Sequence, residues 1–271
     1  MTESEVVKAC CAAAYSSDLV SLLLGDSYHP GGLALTRRLI DATGISAGQT
    51  VLDVASGRGT SALMVARDHH AQVLGIDLSA ANVTLAAGAA YAAGLAEQVT
   101  FKVGDAEQLP VSDGSTDVVL CECALCTFPD KPTAAAEFAR VLRPGGRVGI
   151  TDVTVDPNRL PPELSTLGAW IACVADARPA TKYAELLTGA GLRVTSIEGH
   201  DAAVGRMIDQ IEARLQFLRL TSPDSLRANG VDLSRARDVL AVARGAVAEG
   251  ILGYTLIVAA KPGPPTAGDD L

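Results

Sequence analysis

From Gln49 onward, short apolar runs alternate along the chain with segments whose apolar residues recur at helical spacing. Strands that are apolar throughout and separated by helices are typical of a parallel sheet covered on both faces. The pattern predicts five strands and three helices in this stretch. The strands are Thr50–Val54, Val73–Asp77, Val99–Val103, Asp117–Cys123 and Arg147–Asp152, and the helices are Ser61–His70, Ala80–Gly94 and Pro132–Leu142.

Two further strands, Leu192–Glu198 and Tyr254–Ala260, are predicted near the end of the chain. Helical patterns between them predict a helical insertion at about 201–250, before the last strand. The expected fold is therefore α/β, a Rossmann-like, doubly wound, mostly parallel sheet of seven strands. This domain is expected to cover 46–261, followed by a flexible tail at 262–271 that is rich in Pro, Gly and Asp.

The residues before the sheet predict a helical lid at 1–45. Helical spacing runs over Ser4–Leu24 and again over Leu33–Thr43, and the segment between them contains Pro30 and two glycines. A Pro–Gly–Gly sequence favours a turn that can act as a hinge. Such a hinge would allow the lid to close over a ligand, and closure would exclude water.

Composition narrows the class of protein. The 271 residues carry a net charge of −9, and 48% of them are hydrophobic, which favours a globular protein with no nucleic-acid partner. The apolar runs are too short to span a membrane. The first residues lack the basic and apolar segments of an export signal, so we expect a cytoplasmic protein with free thiols and a small-molecule substrate.

Three acidic residues follow successive predicted strands. Asp53 lies in the sequence VLDVASGRGT, Asp77 ends the next strand, and Asp105 follows the third strand. Glycines after Asp53 allow a close approach of backbone to ligand, and a carboxylate at the second strand end can accept both hydroxyl hydrogens of a ribose. A dinucleotide enzyme is the alternative, but Ala62 stands where its motif would more often have a third glycine.

The three acidic residues at successive strand ends, together with the turn Leu142–Arg147, resemble the pattern of the class I S-adenosylmethionine-dependent methyltransferases over about 51–151. The resemblance implies S-adenosylmethionine as the cofactor. Ala55 stands where the family has glycine, and we expect it to keep an ordinary negative φ. The implied cofactor contacts are Asp53, Ala55, Gly57, Gly59, Asp77, Leu78, Asp105, Ala106, Cys121 and Glu122.

The six cysteines fall near the expected site. Alternation places Cys121 and Cys123 on one face of the fourth strand, with Cys123 nearest the carboxyl end. Any one of them alone would be interpreted as a small buried hydrophobe, and Cys121 and Cys126 are expected to pack. Several thiolates at one site would instead favour a soft, thiophilic ion. Zinc is disfavoured because Cys123-x-x-Cys126 has no second pair.

The sequences Cys123–Leu125, Phe128–Lys131 and Cys173–Ala175 resemble the arsenite methyltransferase family, as does Gly253–Lys261. The resemblance implies that Cys123 and Cys173 hold As(III) as thiolates, and that a further N-terminal cysteine contributes. By position, Cys11 is the candidate, with Cys10 as its alternative.

Two other functions remain open at this stage. The protein could methylate an O, N, S or C atom of an organic metabolite, with Glu122 or His29 taking a proton. It could also bind a thiol-reactive metalloid without catalysis. Glu122 is otherwise expected to accept hydrogen bonds from the amino-acid part of the cofactor or from the lid.

Overall fold

The computed structural model describes residues 8, 23–25, 28–165, 173–228 and 230–263. Outside these residues lie Cys10, Cys11, most of the first predicted helix, and the predicted tail from residue 264 onward. In chain order, the elements up to β5 are α1 (Gly32–Thr43), β1 (Thr50–Val54), α2 (Thr60–His69), β2 (Gln72–Asp77), α3 (Ala80–Ala92), β3 (Val99–Val103), β4 (Thr116–Glu122), a 3-10 turn (Leu125–Thr127), α4 (Lys131–Val141) and β5 (Leu142–Val155).

The second part of the chain adds two strands and the helical insertion. Its elements are α5 (Pro162–Ser165), α6 (Ala180–Gly189), β6 (Arg193–Gly199), α7 (Asp201–Thr221), α8 (Pro223–Ala228), α9 (Leu233–Ala248) and β7 (Leu252–Ala260). The insertion between β6 and β7 lies where the sequence predicted it. None of the helices in the described ranges combines the length and apolar character needed to cross a membrane.

The seven strands form one sheet in the order β3-β2-β1-β4-β5-β7-β6. The pairs among β1 to β5 are parallel, and β7 runs antiparallel to both β5 and β6. The predicted fold class, a mostly parallel and Rossmann-like sheet, is confirmed. The order reverses between β1 and β4, and in such sheets this is the point where ligands bind outside the carboxyl ends of the strands.

Strand β5 begins earlier than predicted, at Leu142 rather than Arg147. Leu142 pairs with Thr116 of β4, and a register shift between Thr116 and Val118 accommodates the intervening turn. Gly145 has a φ of 81° in that turn, a conformation that glycine adopts without steric cost.

Helix α1 packs directly on the sheet. Leu39 and Ile40 are fully buried, and a Cβ placed on Gly149 of β5 would lie 2.5 Å from Thr43 and 2.8 Å from Leu39. The absence of a side chain at Gly149 therefore lets the helix approach the strand closely. The second half of the predicted lid is thus part of the layer that covers the sheet, and it carries side chains to the edge where β4 ends.

Candidate active site

An open cavity of about 1290 Å³ lies at the carboxyl ends of β1, β2 and β4. Eight of the ten expected cofactor contacts line it: Asp53, Ala55, Gly57, Asp77, Leu78, Asp105, Ala106 and Glu122. The other two do not reach it. Gly59 caps α2 with a φ of 81° against the ring of Phe101, and Cys121 is fully buried in the core.

Asp77 organises the loop after β1 as well as facing the cavity. Its Oδ2 accepts a hydrogen bond from the Gly57 amide at 2.8 Å, and its Oδ1 accepts from the Ser79 amide at 2.8 Å and from Asn82 Nδ2 at 3.3 Å. A carboxylate has about four acceptor positions. One position therefore stays available for a ribose hydroxyl while the other three hold the glycine loop and the start of α3.

The glycine loop contains a conformation that the sequence did not predict. Ala55 has a φ of 58°, so the expectation of an ordinary negative φ was wrong. The amide of the next residue, Ser56, donates to the Ile76 carbonyl of β2, and Gly57 bonds to Asp77. These two bonds hold the loop in the left-handed conformation that the family's glycine would adopt freely.

Asp53 is a buried carboxylate with an unused oxygen. It is 3% exposed, and its Oδ2 has no hydrogen-bond partner. Burial, with the neighbouring charges of Glu122 and Asp77, raises the pKa of Asp53 well above its usual range. A cationic ligand in the cavity would relieve this penalty.

Asp105 lies at the far end of the cavity, after β3. Lys8 Nζ donates to Asp105 Oδ2 at 2.7 Å and to Glu107 Oε2 at 2.5 Å. The same lysine lines the cavity. Sequence spacing did not identify Lys8, because its partners are about a hundred residues away along the chain.

Glu122 joins three elements at the near end. Its Oε2 accepts from Thr36 Oγ1 of α1 at 3.0 Å, and its Oε1 accepts from Ser61 Oγ of α2 at 2.6 Å. His29 Nε2 lies 3.6 Å from the same carboxylate and 3.2 Å from Thr36 Oγ1. Glu122 therefore contacts the predicted lid region, as expected. Thr36 and Ser61 are site residues that sequence reasoning missed.

Two predicted arsenic ligands, Cys123 and Cys173, lie close together. Cys123 follows β4 and lines the cavity. Cys173 Sγ lies 4.0 Å from the carbonyl oxygen of Cys123. The hydrogen bond with Cys173, together with burial, raises the pKa of the Cys123 thiol. Cys123 also has a φ of 52°, an uncommon conformation for a residue other than glycine.

Cys126 packs behind this pair, as predicted. It is fully buried, its amide donates to Asp152 Oδ2 at 2.9 Å, and burial followed by the hydrogen bond with Cys173 raises its thiol pKa. Within the described ranges no group of three or more His, Cys, Asp or Glu residues has the geometry to hold a metal ion. Cys11, the predicted third ligand, lies outside those ranges.

Comparison with known proteins accounts for this arrangement. Residues 52–150 match the family model described as a methyltransferase domain. Residues 52–150 therefore form a class I S-adenosylmethionine-dependent methyltransferase domain. Among solved structures, phosphoethanolamine N-methyltransferase 2 of Haemonchus contortus in complex with S-adenosyl-L-methionine matches it with a TM-score of 0.77 at 19% identity. That match covers 94% of this chain and 60% of the other.

The relatives of this methyltransferase differ in their substrates. The 27-O-demethylrifamycin SV methyltransferase of Amycolatopsis mediterranei is 29% identical over 96% of this chain and 98% of its own length. The arsenite methyltransferase of Halobacterium salinarum is 33% identical over 57% of this chain, but over only 40% of its own length. These matches support a methyltransferase domain that uses S-adenosylmethionine. They do not identify the methyl acceptor, which has to be inferred from the residues of the cavity.

Replacing Asp77 with Asn should weaken cofactor binding at least about tenfold, because a charge-assisted acceptor is lost and the Gly57 loop loses its anchor. Calorimetric titration with S-adenosylhomocysteine measures this effect. Asp41→Asn, on the exposed side of α1, is the matched control and should leave the Kd unchanged. Equal affinity of the Asp77 variant and the wild type would remove Asp77 from the site.

Replacing Ala55 with Gly should raise the free energy of unfolding by about 1 kcal/mol, since glycine adopts a positive φ without the Cβ clash. Urea denaturation measures the change. Ala87→Gly, at an exposed position inside α3, is the control and should lower stability by about 1 kcal/mol. A loss of stability in both variants would contradict the left-handed conformation of Ala55.

Proposed function

We propose that this methyltransferase methylates trivalent arsenic held by Cys123 and Cys173. The observation that carries the proposal is the contact between these two cysteines, 50 residues apart in sequence: Cys173 Sγ donates to the Cys123 carbonyl oxygen at 4.0 Å, and Cys123 lines the cofactor cavity. Both are also the cysteines that the sequence resemblance implies. From this contact we infer that the two sulfurs can reach one small ion.

The backbone at Cys123 adds to this argument. A residue other than glycine held at positive φ costs about 1 kcal/mol or more, and such strain concentrates at functional sites. Here the Cys123 amide donates to the Thr151 carbonyl at 2.7 Å, which holds the strained turn. The turn directs the chain after β4 across the cavity, where the Cys123 sulfur could bind the arsenic ion.

The chemistry requires thiol exchange and then methyl transfer. A thiol-bound As(III) exchanges its small thiolates for the two cysteine sulfurs, and each departing thiolate takes the proton of the cysteine it replaces. The arsenic lone pair then forms an As–C bond as the C–S bond of the sulfonium breaks. S-adenosylhomocysteine leaves with the bonding electrons, arsenic is formally oxidised to As(V), and no general base is needed.

The raised pKa of the Cys123 thiol fits this exchange. A protonated, buried thiol is a poor nucleophile towards most electrophiles, so Cys123 resists oxidation until a thiophilic ion binds. A soft trivalent ion that forms two sulfur bonds offsets the cost of deprotonation. The pair supplies two ligands, and the third can come from the incoming thiol.

Arsenite methylation is tested by incubating the protein with S-adenosylmethionine, arsenite and glutathione and measuring methylated arsenic with S-adenosylhomocysteine. The wild type should form both products. Cys123→Ser and Cys173→Ser should each reduce methylated arsenic at least about a hundredfold, because one sulfur alone cannot orient the ion. Cys121→Ala, which removes a core sulfur away from the cavity, is the control. Absence of methylated arsenic with wild-type protein would overturn the proposal.

A second candidate acceptor is a hydroxyl group of an organic metabolite, and His29 favours it. Its Nδ1 lies 3.2 Å from the Pro30 carbonyl oxygen, an arrangement that places the hydrogen on Nδ1 and leaves the lone pair on Nε2. Once the substrate hydroxyl replaces Thr36 Oγ1, now 3.2 Å away, Nε2 can take its proton as oxygen attacks the methyl group. The carboxylate of Glu122, 3.6 Å away, would stabilise the imidazolium formed.

The two acceptors make opposite demands on His29. With a panel of phenolic and aliphatic hydroxyl compounds, His29→Asn should lower kcat by about a hundredfold or more if His29 is the base, without changing the Kd for S-adenosylhomocysteine. Arsenic methylation should persist in the same variant. Loss of arsenic methylation in His29→Asn, with cofactor binding intact, would contradict the base-free mechanism.

A further inference from the structure

Lys131, the first residue of α4, carries a buried charge. Its side chain is 6% exposed, and its Nζ donates to Asp176 Oδ2 at 2.5 Å. A buried ammonium group is costly unless it is paired and hydrogen-bonded. A buried ion pair gains little stability over apolar residues of the same size, so the feature to explain is where this pair lies.

The ammonium group joins two segments of the chain. Lys131 Nζ also donates to the Phe128 carbonyl at 2.9 Å, within the loop that runs from β4 to α4 and carries Cys123. Asp176 follows Cys173 by three residues in a single helical turn. Residues three apart in a helical turn project from the same side, so an anchor on Asp176 also fixes the direction of Cys173.

The loop after β4 is the fixed side of this junction. The Cys123 amide donates to the Thr151 carbonyl at 2.7 Å, and the Cys126 amide donates to Asp152 Oδ2 at 2.9 Å. Both acceptors belong to β5, in the interior of the sheet. The position of the Cys173 segment relative to this loop therefore determines how far apart the two sulfurs lie.

The second ion pair of Asp176 does not supply the link. Asp176 Oδ1 accepts from Arg178 Nη2 at 2.6 Å, but Arg178 belongs to the same segment and is 44% exposed. An exposed pair of this kind contributes little. Of the two cations that pair with Asp176 in the described part of the chain, Lys131 is the one that reaches from the loop after β4.

We propose that Lys131 is a positioning residue for arsenic: through Asp176 it holds Cys173 at the distance from Cys123 at which both sulfurs bond to one arsenic atom. The inference rests on the proposed function, since it concerns the same two cysteines. Lys131 is not one of the described residues that line the cavity, so it acts through the segment that it anchors. Its loss should impair ligands that need both sulfurs and spare ligands that need one.

The experiment compares two trivalent arsenicals that differ in the number of sulfur bonds they form. Phenylarsine oxide forms two As–S bonds with a pair of thiols, and its oxygen leaves as water with both thiol protons. Dimethylarsinous acid forms one As–S bond and releases one water in the same way. The full chain is used in reduced form, with Cys10→Ser and Cys11→Ser so that these adjacent cysteines do not bind the probe.

Calorimetric titration in this background should show that Lys131→Met weakens phenylarsine oxide at least about tenfold and changes dimethylarsinous acid less than about twofold. Methionine keeps the length of the side chain, and the carboxylate of Asp176, 46% exposed, stays solvated. Asp176→Asn keeps an oxygen that can accept from Lys131, so it should show the same selectivity with a smaller effect.

Lys182→Met is the matched control and should alter neither arsenical, because Lys182 is 59% exposed and pairs with Glu185 of its own helix. The Kd for S-adenosylhomocysteine should stay within about twofold of wild type in every variant. Equal weakening of both arsenicals by Lys131→Met would show that the ion pair only supports the fold and would overturn the proposal. Unchanged affinity for both would overturn it as well.

The same titration separates this proposal from the proposed function. Selective loss of phenylarsine oxide in Lys131→Met, with a wild type that fails to methylate arsenite, would support the role of Lys131 and contradict arsenic methylation. Methylation of arsenite by a Lys131→Met variant with wild-type affinity for phenylarsine oxide would support the function and overturn the role of Lys131.

Discussion

The site depends on a concentration of negative charge where the parallel strands end. Asp53, Asp77 and Glu122 lie at the ends of β1, β2 and β4, and all three line one cavity. Burial disfavours a charged carboxylate and neighbouring charges of the same sign add to the cost, so the pKa of Asp53 is raised well above its usual range, first by burial and then by Glu122 and Asp77. Backbone amides and hydroxyls offset it for Asp77 and Glu122, but Asp53 keeps an unused oxygen. A sulfonium with an ammonium group supplies the missing positive charge.

The same carboxylates shape the protein around the ligand. Asp77 holds the Gly57 amide, which keeps the glycine loop close to β2. Glu122 accepts hydrogen bonds from one residue of α1 and one of α2, and thereby ties the packed part of the N-terminal region to β4. Glu122 therefore lines the cavity and holds the N-terminal region with the same side chain. Removing either carboxylate would alter the shape of the cavity as well as its charge.

The sequence predicted the sheet well because its central strands β1, β2 and β4 are mostly apolar and buried and each carries an acidic residue at or near its carboxyl end. The helices between strands followed from spacing and from turn residues. Local patterns could not show that Lys8 reaches Asp105, or that Thr36 and Ser61 both reach Glu122, because these contacts join residues far apart in sequence. The prediction of a negative φ for Ala55 was wrong for a related reason. A hydrogen bond from the next residue to β2 overrides the local preference of alanine. The meeting of Cys123 and Cys173 was implied by resemblance alone, since nothing in their spacing indicates a contact.

The order of the strands also indicates where the parts of the cofactor and the methyl acceptor would lie in the cavity. Asp105 follows β3 and Asp77 ends β2, so on the expected cofactor contacts the nucleoside would lie over that side of the sheet. The sulfonium would then face the end of β4, where Glu122 and Cys123 are adjacent in sequence and both line the cavity. An acceptor bound by Cys123 and one deprotonated by His29 would thus approach the same methyl group. On the proposed function, the positive φ of Cys123 is the feature that favours a sulfur-bound acceptor over a hydroxyl group.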